Sequence, residues 1–284
     1  MNFINNILSI IPDKLYITLR YRRKMGKWIN WKSPKDFNEK LQYLKLYDRK
    51  DFYTKLVDKA SVKEYVSQMI GDKYIIPTLG VYNNFDEINF NKLPNQFVIK
   101  TTHDSGGIVI CKNKSEFDKL AARKKINSSL KNKYYLQGRE WPYKNVVPRV
   151  IVEKYIEDEE NKELRDYKFF IFNGKAKFMF IATDRFNKDK ETCFDFFDMD
   201  FNKLNIQNGH PNSNISFKKP NEFNEMRELA EKIGKKMKQV RVDFYLANNN
   251  IYFGEITLFH HSGFVKFYPE TYERMFGDMI DLSI

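Results

Sequence analysis

The chain has 284 residues and carries 49 Lys and Arg against 37 Asp and Glu, a formal net charge of +12. The hydrophobic fraction of 42% suffices for a folded core and excludes a disordered chain. Two cysteines are too few for a disulfide framework, and no run of about 18 apolar residues predicts a membrane-spanning helix. We therefore expect a cytoplasmic protein with anionic partners, a class that includes phosphates, anionic lipids, acidic glycans and nucleic acid.

The first fifty residues have the pattern of helices. Leu8, Ile11, Leu15 and Leu19 approximate one apolar face, although Pro12 must break or restart the helix. A basic cluster at residues 20–24 lies beside that face. Two interpretations stay open: a helix that rests on a membrane surface, peripheral at the inner face of the membrane, and a terminal helix packed on the protein with a solvated basic end.

The rest of the chain alternates predicted strands and helices. Strands are expected at 96–100, 108–110 and 147–156, helices from residue 33 and over 116–136 and 221–238, and hairpins over 166–181 and 239–258. The Asn173-Gly174 pair is the strongest short-range hairpin signal. This order predicts an α+β fold with antiparallel strands rather than a doubly wound sheet.

Familiar nucleotide and metal motifs are missing from the sequence, including the G-x-x-x-x-G-K-[ST] loop, G-x-G-x-x-G and H-E-x-x-H. The remaining chemistry is that of phosphate and magnesium bound by Lys, Gly and carboxylates. Lys100 ends a strand just before a Gly-containing loop at 101–107, where it would neutralise a phosphate while loop amides cap it. The alternative is an ordinary hairpin with a solvated lysine.

The last predicted hairpin carries two carboxylates. Strand alternation puts Arg241 and Asp243 on one face of its first strand, and Glu255 and Thr257 on one face of its second. A three-residue turn at 248–250 would place Asp243 opposite Glu255, whereas a two-residue turn would send them to opposite faces. Opposed carboxylates repel unless a cation such as Mg²⁺ lies between them. A surface hairpin with separately solvated charges is the alternative.

Six segments, in this order, resemble the ATP-grasp superfamily and specifically its TupA-like branch, found among polysaccharide-biosynthesis proteins. The segments are Ser33–Lys40, Val57–Tyr65, Pro94–Lys100, Asp166–Phe170, Arg241–Tyr245 and Phe253–Thr257. The resemblance implies an ATP-grasp fold, in which two α+β subdomains clasp a nucleotide after a short helical N-terminal extension. It implies a helical segment 1–57, a small subdomain 58–157 with the phosphate loop, and a C-terminal catalytic subdomain 158–284.

Residue roles follow from the same resemblance. The implied ATP-binding residues are Lys59 and Lys100 at the phosphates, Ser105, Gly106 and Gly107 in the loop over them, Glu153, Lys154 and Ile156 at the adenine, and Asp166 at the ribose. The implied Mg²⁺ ligands are Asp243, Glu255 and Thr257, where Thr257 replaces an Asn found in many ATP-grasp ligases. The candidate catalytic residues are Arg241, Lys100, Arg185 and Lys168. We select Arg185 because a guanidinium can pair bidentately with the acceptor carboxylate; an ordinary surface arginine is the alternative.

The resemblance implies an ATP- and Mg²⁺-dependent carboxylate–amine ligase that acts through an acyl phosphate. Its substrates would be small-molecule or glycan carboxylates and amines, such as a uronic acid or amino acid of a bacterial surface polysaccharide, and not nucleic acid. Two alternatives stay open: a phosphotransferase on the same fold that acts on a sugar hydroxyl, and a non-catalytic basic protein that binds nucleic acid or membrane. The roles of His103, His260 and His261 also stay open.

Overall fold

The computed structural model describes residues 8–159, 164–185 and 189–283. Their contacts divide the chain into two compact units. Unit 1 comprises residues 50–157, and unit 2 comprises residues 8–49 together with the described residues from 158 to 283. The N-terminal helices therefore share a core with the C-terminal half of the chain. The functional division into three segments stays a prediction.

The elements are given in chain order. Helices are α1 Asp13–Met25, α2 Phe37–Tyr47, α3 Tyr53–Val57, α4 Ser61–Ile70, α5 Lys119–Leu130, α6 Tyr135–Gly138, α7 Phe223–Gly234 and α8 Thr271–Asp278. Strands are β1 Thr78–Tyr82, β2 Phe97–Thr101, β3 Ile108–Cys111, β4 Val150–Lys154, β5 Arg165–Phe172, β6 Lys175–Thr183, β7 Cys193–Asp198, β8 Lys203–Leu204, β9 Gln239–Ala247 and β10 Asn250–Thr257. Neighbouring strands are antiparallel within both sheets, and together with the helices they confirm the predicted α+β class.

Unit 1 is built on a four-stranded sheet in the order β1-β4-β2-β3. Phe97, Ile99 and Val152 face a core that also contains Ile126 of α5. Since side chains alternate along a strand, Lys100 lies on the opposite face of the sheet. That face therefore carries Lys100 and, on the neighbouring strand β4, Glu153.

Unit 2 is built on a six-stranded sheet in the order β10-β9-β5-β6-β7-β8. One face packs on α7, where the Phe169 and Phe223 ring centroids are 5.7 Å apart. Part of the other face is covered by aromatic rings of α2 and α8. The ring centroids of Phe37 in α2 and Phe172 in β5 are 6.1 Å apart. The part of that face nearer β9 and β10 carries the charged side chains described below.

The N-terminal helix buries a face other than the one that the apolar spacing marked. Helix α1 starts directly after Pro12, but it buries Ile17, Tyr21 and Met25, whereas Leu15 and Leu19 are 51% and 54% exposed. The predicted stripe therefore continues into α1 only as Leu15 and Leu19, and these two side chains point outward. Periodicity identifies such a stripe, but only the neighbouring elements decide which face is buried.

Three strands were not predicted from the sequence: β1, β7 and β8. They are short or lie between loops, and their apolar residues do not form a clear two-residue period. Among the described residues, no helix has both the length and the apolar character required to span a bilayer.

Candidate functional site

The predicted site residues fall into two groups, one in each unit. Unit 2 contains Asp166, Lys168, Arg185, Arg241, Asp243, Glu255 and Thr257, whereas unit 1 contains Lys59, Lys100, the loop 101–107, Glu153, Lys154 and Ile156. Each group is described by itself, beginning with the hairpin that carries the two carboxylates.

The β9–β10 hairpin pairs Asp243 with Glu255, and Arg241 with Thr257, as predicted. This register was expected from a three-residue turn, but the turn has two residues, Asn248 and Asn249, both with positive φ. The register then shifts by one residue between Phe253 and Glu255. Gly254 is therefore a bulge, and it restores the pairing that the short turn alone would have prevented.

Arg241 and Asp243 form a buried, two-pronged ion pair. The Arg241 Nε and Nη2 atoms donate to the two carboxylate oxygens of Asp243, each at 2.7 Å. Arg241 Nη2 also donates to Glu255 Oε1 at 3.1 Å. Asp243 is 1% exposed, whereas the Glu255 side chain is 45% exposed. One guanidinium therefore holds both predicted carboxylate ligands, Asp243 in the interior and Glu255 at the surface.

A second cation and a second carboxylate extend this cluster onto β5. Lys168 lies opposite Asp243 in the sheet, and its Nζ atom contacts the carboxylates of both Asp243 and Asp166, the latter at 2.6 Å. Arg185 Nη1 donates to the same Asp166 oxygen. Acidic and basic groups therefore alternate along the row Glu255, Arg241, Asp243, Lys168, Asp166 and Arg185, which we call the charge row.

The charge row keeps Asp243 and Arg241 ionised. Burial acts to raise the pKa of Asp243, but the adjacent Arg241 and Lys168 outweigh it and lower that pKa to about 2. Burial acts to lower the pKa of Arg241. The neighbouring carboxylates of Asp243 and Glu255 outweigh this effect, and the pKa of Arg241 is raised. Since each charge has a partner of opposite sign, the cost of burying it is offset.

His260 fixes the other side of the Arg241 guanidinium. Arg241 Nη1 lies 2.8 Å from His260 Nδ1, and His260 Nε2 lies 2.7 Å from Asn208 Oδ1. Arginine only donates, so Nδ1 must accept and the proton must be on Nε2. Burial lowers the pKa of His260 well below its usual value, which agrees with a neutral ring. Asn208 lies in a loop, and no sequence signal singled it out.

Glu153 in unit 1 lies between two lysines. Its carboxylate contacts Lys63 Nζ and, at 2.6 Å, Lys100 Nζ, and the residue is 4% exposed. Burial acts to raise the pKa of Glu153, but Lys100 and Lys63 outweigh it and lower the value to about 2. Glu153 therefore positions the two lysines, an effect that the sequence-based adenine assignment did not include.

The loop 101–107 is held by its own buried carboxylate. Asp104 accepts hydrogen bonds from Thr101 and Ser129, and its carbonyl oxygen accepts one from Lys59 Nζ. Gly107 packs so tightly that a Cβ atom there would come within 1.9 Å of Thr101 Oγ1. Lys59 is thus joined to the predicted phosphate loop within unit 1.

The remaining predicted residues differ in exposure. Ser105, Gly106 and Lys154 are exposed, whereas Ile156 and Thr257 are partly buried. His103 is buried, and its Nε2 lies 3.2 Å from the Asn132 carbonyl oxygen, a structural contact. Within the described ranges, no three His, Cys, Asp or Glu residues lie close enough to form a ready-made metal site.

Comparison with known proteins relates this chain to a family. A family profile described as TupA-like ATPgrasp matches residues 39–281. A search of curated proteins gives no match.

Among solved structures, three illustrate the likeness in fold. D-alanine–D-alanine ligase from Bacillus anthracis, solved with ATP, is 17% identical over 72% of this chain and 53% of that chain, with a TM-score of 0.39. The enzyme of the same name from Helicobacter pylori is 15% identical over 86% and 68%, with a TM-score of 0.45. L-amino acid ligase from Bacillus licheniformis is 12% identical over 80% and 49%, with a TM-score of 0.46. This chain thus spans about half the length of the first and the third.

Proposed function

Because the chain belongs to the TupA-like ATP-grasp family, we propose that it is an ATP- and Mg²⁺-dependent ligase that joins a carboxylate to an amine. The observation that carries the proposal is the charge row, in which Asp243 and Glu255 are directly opposed across β9 and β10 and share Arg241. The buried Arg241–Asp243 pair needs no further carboxylate for its own stability, so the partly exposed Glu255 is available to a ligand.

The residues fit a magnesium ion by their chemistry. Mg²⁺ prefers oxygen ligands and is usually held by one or two carboxylates, with water and substrate phosphates completing its coordination. Asp243 is ionised, Glu255 is partly exposed, and Thr257 adds a hydroxyl on the same face of β10. When bound, the ion would neutralise charge on the phosphates. Because phosphate and water oxygens complete its coordination, a third protein carboxylate is not required.

The phosphate groups of ATP would be contacted by the cations of unit 1. Lys100 and Lys63 are held by Glu153, and Lys59 is held by the backbone of the 101–107 loop. Exposed Ser105 and Gly106 would offer backbone N–H groups to phosphate oxygens. Lys154 and Ile156 remain our candidates for the adenine, and Asp166 for the ribose.

We assign the chemistry to Arg241, with Lys168 and Arg185 beside it. A carboxylate oxygen of the substrate would form a bond to the γ-phosphorus while the bond to the bridging oxygen of ADP breaks. The amine nitrogen of the second substrate would then attack the carbonyl carbon, lose a proton and displace phosphate. Such transfer depends on positioning and charge neutralisation more than on covalent catalysis, which suits a row of fixed cations.

The substrate class is a finer proposal. We propose that the carboxylate belongs to a uronic acid or an amino acid of a bacterial surface polysaccharide, as the TupA-like branch suggests. The net charge of +12 favours acidic substrates of this kind. Arg185, whose side chain is 31% exposed, is our candidate for the group that pairs with the substrate carboxylate.

The substitution Asp243→Asn tests the metal and nucleotide assignment. It removes the ionised ligand while keeping the side-chain shape, so we expect Mg²⁺-ATP turnover to fall about 100-fold or more. Asp195→Asn is the matched control, since Asp195 is a fully buried carboxylate of the same sheet whose partners, Ser213 and Lys203 of β8, lie outside the charge row. Steady-state ATP hydrolysis and calorimetric Mg²⁺-ATP titration are measured for both; unchanged turnover in Asp243→Asn would contradict the proposal.

Hydroxylamine trapping separates the ligase from a phosphotransferase. Uronic acids and amino acids are incubated with the protein, Mg²⁺-ATP and hydroxylamine, and a hydroxamate indicates an activated carboxylate. A phosphorylated sugar without hydroxamate would instead support transfer to a hydroxyl group. No ATP consumption with any of these substrates would favour the non-catalytic binding protein.

A further inference from the structure

The outward face of helix α1 is apolar in the middle of a basic segment. The helix is fixed to unit 2 through Ile17, Tyr21 and Met25, which are at most 3% exposed. On the outside, Leu15 and Leu19 are more than half exposed and lie one helical turn apart. The internal packing of the helix therefore does not use this face.

Basic and aromatic side chains continue the same face. Arg22 follows Leu15 and Leu19 at helical spacing, and Arg23 beside it is also exposed. The Trp28 side chain is 61% exposed, and its ring centroid lies 5.7 Å from the Arg22 guanidinium carbon. We call Leu15, Leu19, Arg22, Arg23 and Trp28 the outer α1 surface.

The charge of this segment is predominantly positive. Residues 8–28 contain six Lys or Arg and a single acidic residue, Asp13. The Asp13 carboxylate accepts a hydrogen bond from Arg49 Nη2 at 3.0 Å, so it is directed to the body of unit 2. A binding partner of the outer α1 surface must therefore be anionic and must also bury leucine and tryptophan side chains.

We propose that the outer α1 surface docks on a lipid bilayer that contains anionic lipids. Leucines would enter the boundary between headgroups and acyl chains, Trp28 suits the interface, and the arginines would pair with headgroup phosphates. An acidic glycan or nucleic acid would use the arginines but would not bury the leucines. A second copy joined through the same face would bring Arg22 and Arg23 against like charges. The proposal is independent of the ligase assignment.

Vesicle flotation of the full-length protein tests the proposal. Vesicles of phosphatidylcholine alone are compared with vesicles of phosphatidylcholine and phosphatidylglycerol, and we expect binding only to the mixed vesicles, with a blue shift of tryptophan emission. A basic residue at an anionic surface contributes about fivefold to partitioning, so the double variant Arg22→Gln/Arg23→Gln should bind roughly 25-fold more weakly. Leu15→Gln/Leu19→Gln should reduce binding by about tenfold or more.

Helix α5 of unit 1 provides matched controls, because it is also basic and carries Leu120, which is 78% exposed. The variants Leu120→Gln and Lys124→Gln/Lys125→Gln should bind mixed vesicles like the unmodified protein. Thermal unfolding confirms that every variant is folded, as expected for exposed positions.

Three results would overturn the proposal. The first is no binding of the unmodified protein to mixed vesicles. The second is an equal loss of vesicle binding in the α1 and α5 variants, or no loss of binding in Leu15→Gln/Leu19→Gln. Either result would mean that total positive charge, and not the outer α1 surface, determines binding. The third is a concentration-dependent dimer in sedimentation velocity that the leucine variant abolishes while vesicle binding stays unchanged, which assigns the face to a second copy.

Discussion

Glu273 shows at the scale of one residue how this fold constrains a charge. It is 5% exposed, and its Oε1 accepts hydrogen bonds from Phe267 N at 2.9 Å and Asn38 Nδ2 at 2.6 Å. Burial raises the pKa of Glu273 to about 7, although these hydrogen bonds oppose the shift. No cation contacts its carboxylate in the described residues, unlike the carboxylates of the charge row, so burial prevails here.

Because the pKa of Glu273 is raised, we expect the free energy of unfolding to fall as the pH rises. Between the ordinary glutamate pKa and about 7 the folded state binds a proton that the unfolded state has lost, so stability is lost through that window. Relative to the variant Glu273→Gln, the unmodified protein should lose on the order of 2 kcal/mol of unfolding free energy between about pH 5 and about pH 8.

Urea unfolding at a series of pH values measures this difference. Glu270→Gln, at an exposed carboxylate three residues away, is the control and should follow the unmodified protein. If the pH profile of Glu273→Gln also runs parallel to that of the unmodified protein, Glu273 is not the titrating group.

At the scale of an element, the β9–β10 hairpin combines a tight turn with a bulge. Asn248 and Asn249 have φ values of 48° and 59°, the conformation in which Asn and Gly are favoured in a two-residue hairpin turn. Gly254 then adds the extra residue that places Glu255 opposite Asp243. The turn and the bulge together determine which side chains join the charge row.

Two substitutions at position 249 separate backbone conformation from side-chain contacts. Asn249→Ala puts a residue that disfavours positive φ into the turn, so the free energy of unfolding should fall by about 1 kcal/mol. Asn249→Gly removes the same side chain but accepts the backbone, and should leave stability unchanged or slightly higher. Chemical denaturation of both variants is the measurement; equal losses would show that the side chain, not the backbone, is responsible.

At the scale of the whole molecule, the two units have different chain connectivity. Unit 1 is a continuous segment with its own core around Phe97 and Ile99. Unit 2 needs two distant segments, because Phe37 of α2 packs against Phe172 of β5 and Phe276 of α8. Asn38 of α2 also bonds Glu273 of α8 at 2.6 Å.

Fragments test this difference. Residues 50–157 expressed alone should unfold cooperatively, whereas residues 158–284 alone should not, since removal of α2 uncovers the aromatic face of β5 and leaves Glu273 without Asn38. Joining residues 1–49 to the second fragment through a flexible linker should restore cooperative unfolding. Circular dichroism with thermal denaturation is the measurement, and a cooperative 158–284 fragment would contradict the inferred dependence on α2.

The sequence by itself determined what depends on local pattern. Asn173-Gly174 marked a hairpin, strand alternation put Lys100 on the face opposite Phe97 and Ile99, and the motif order identified the family, because turn chemistry and side-chain period act over a few residues. Only the tertiary structure decided the partners of each charge. The Gly254 bulge, the outward direction of Leu15 and Leu19, and the contacts of Glu153 with two lysines depend on which distant segments pack together, and short-range preferences do not specify that packing.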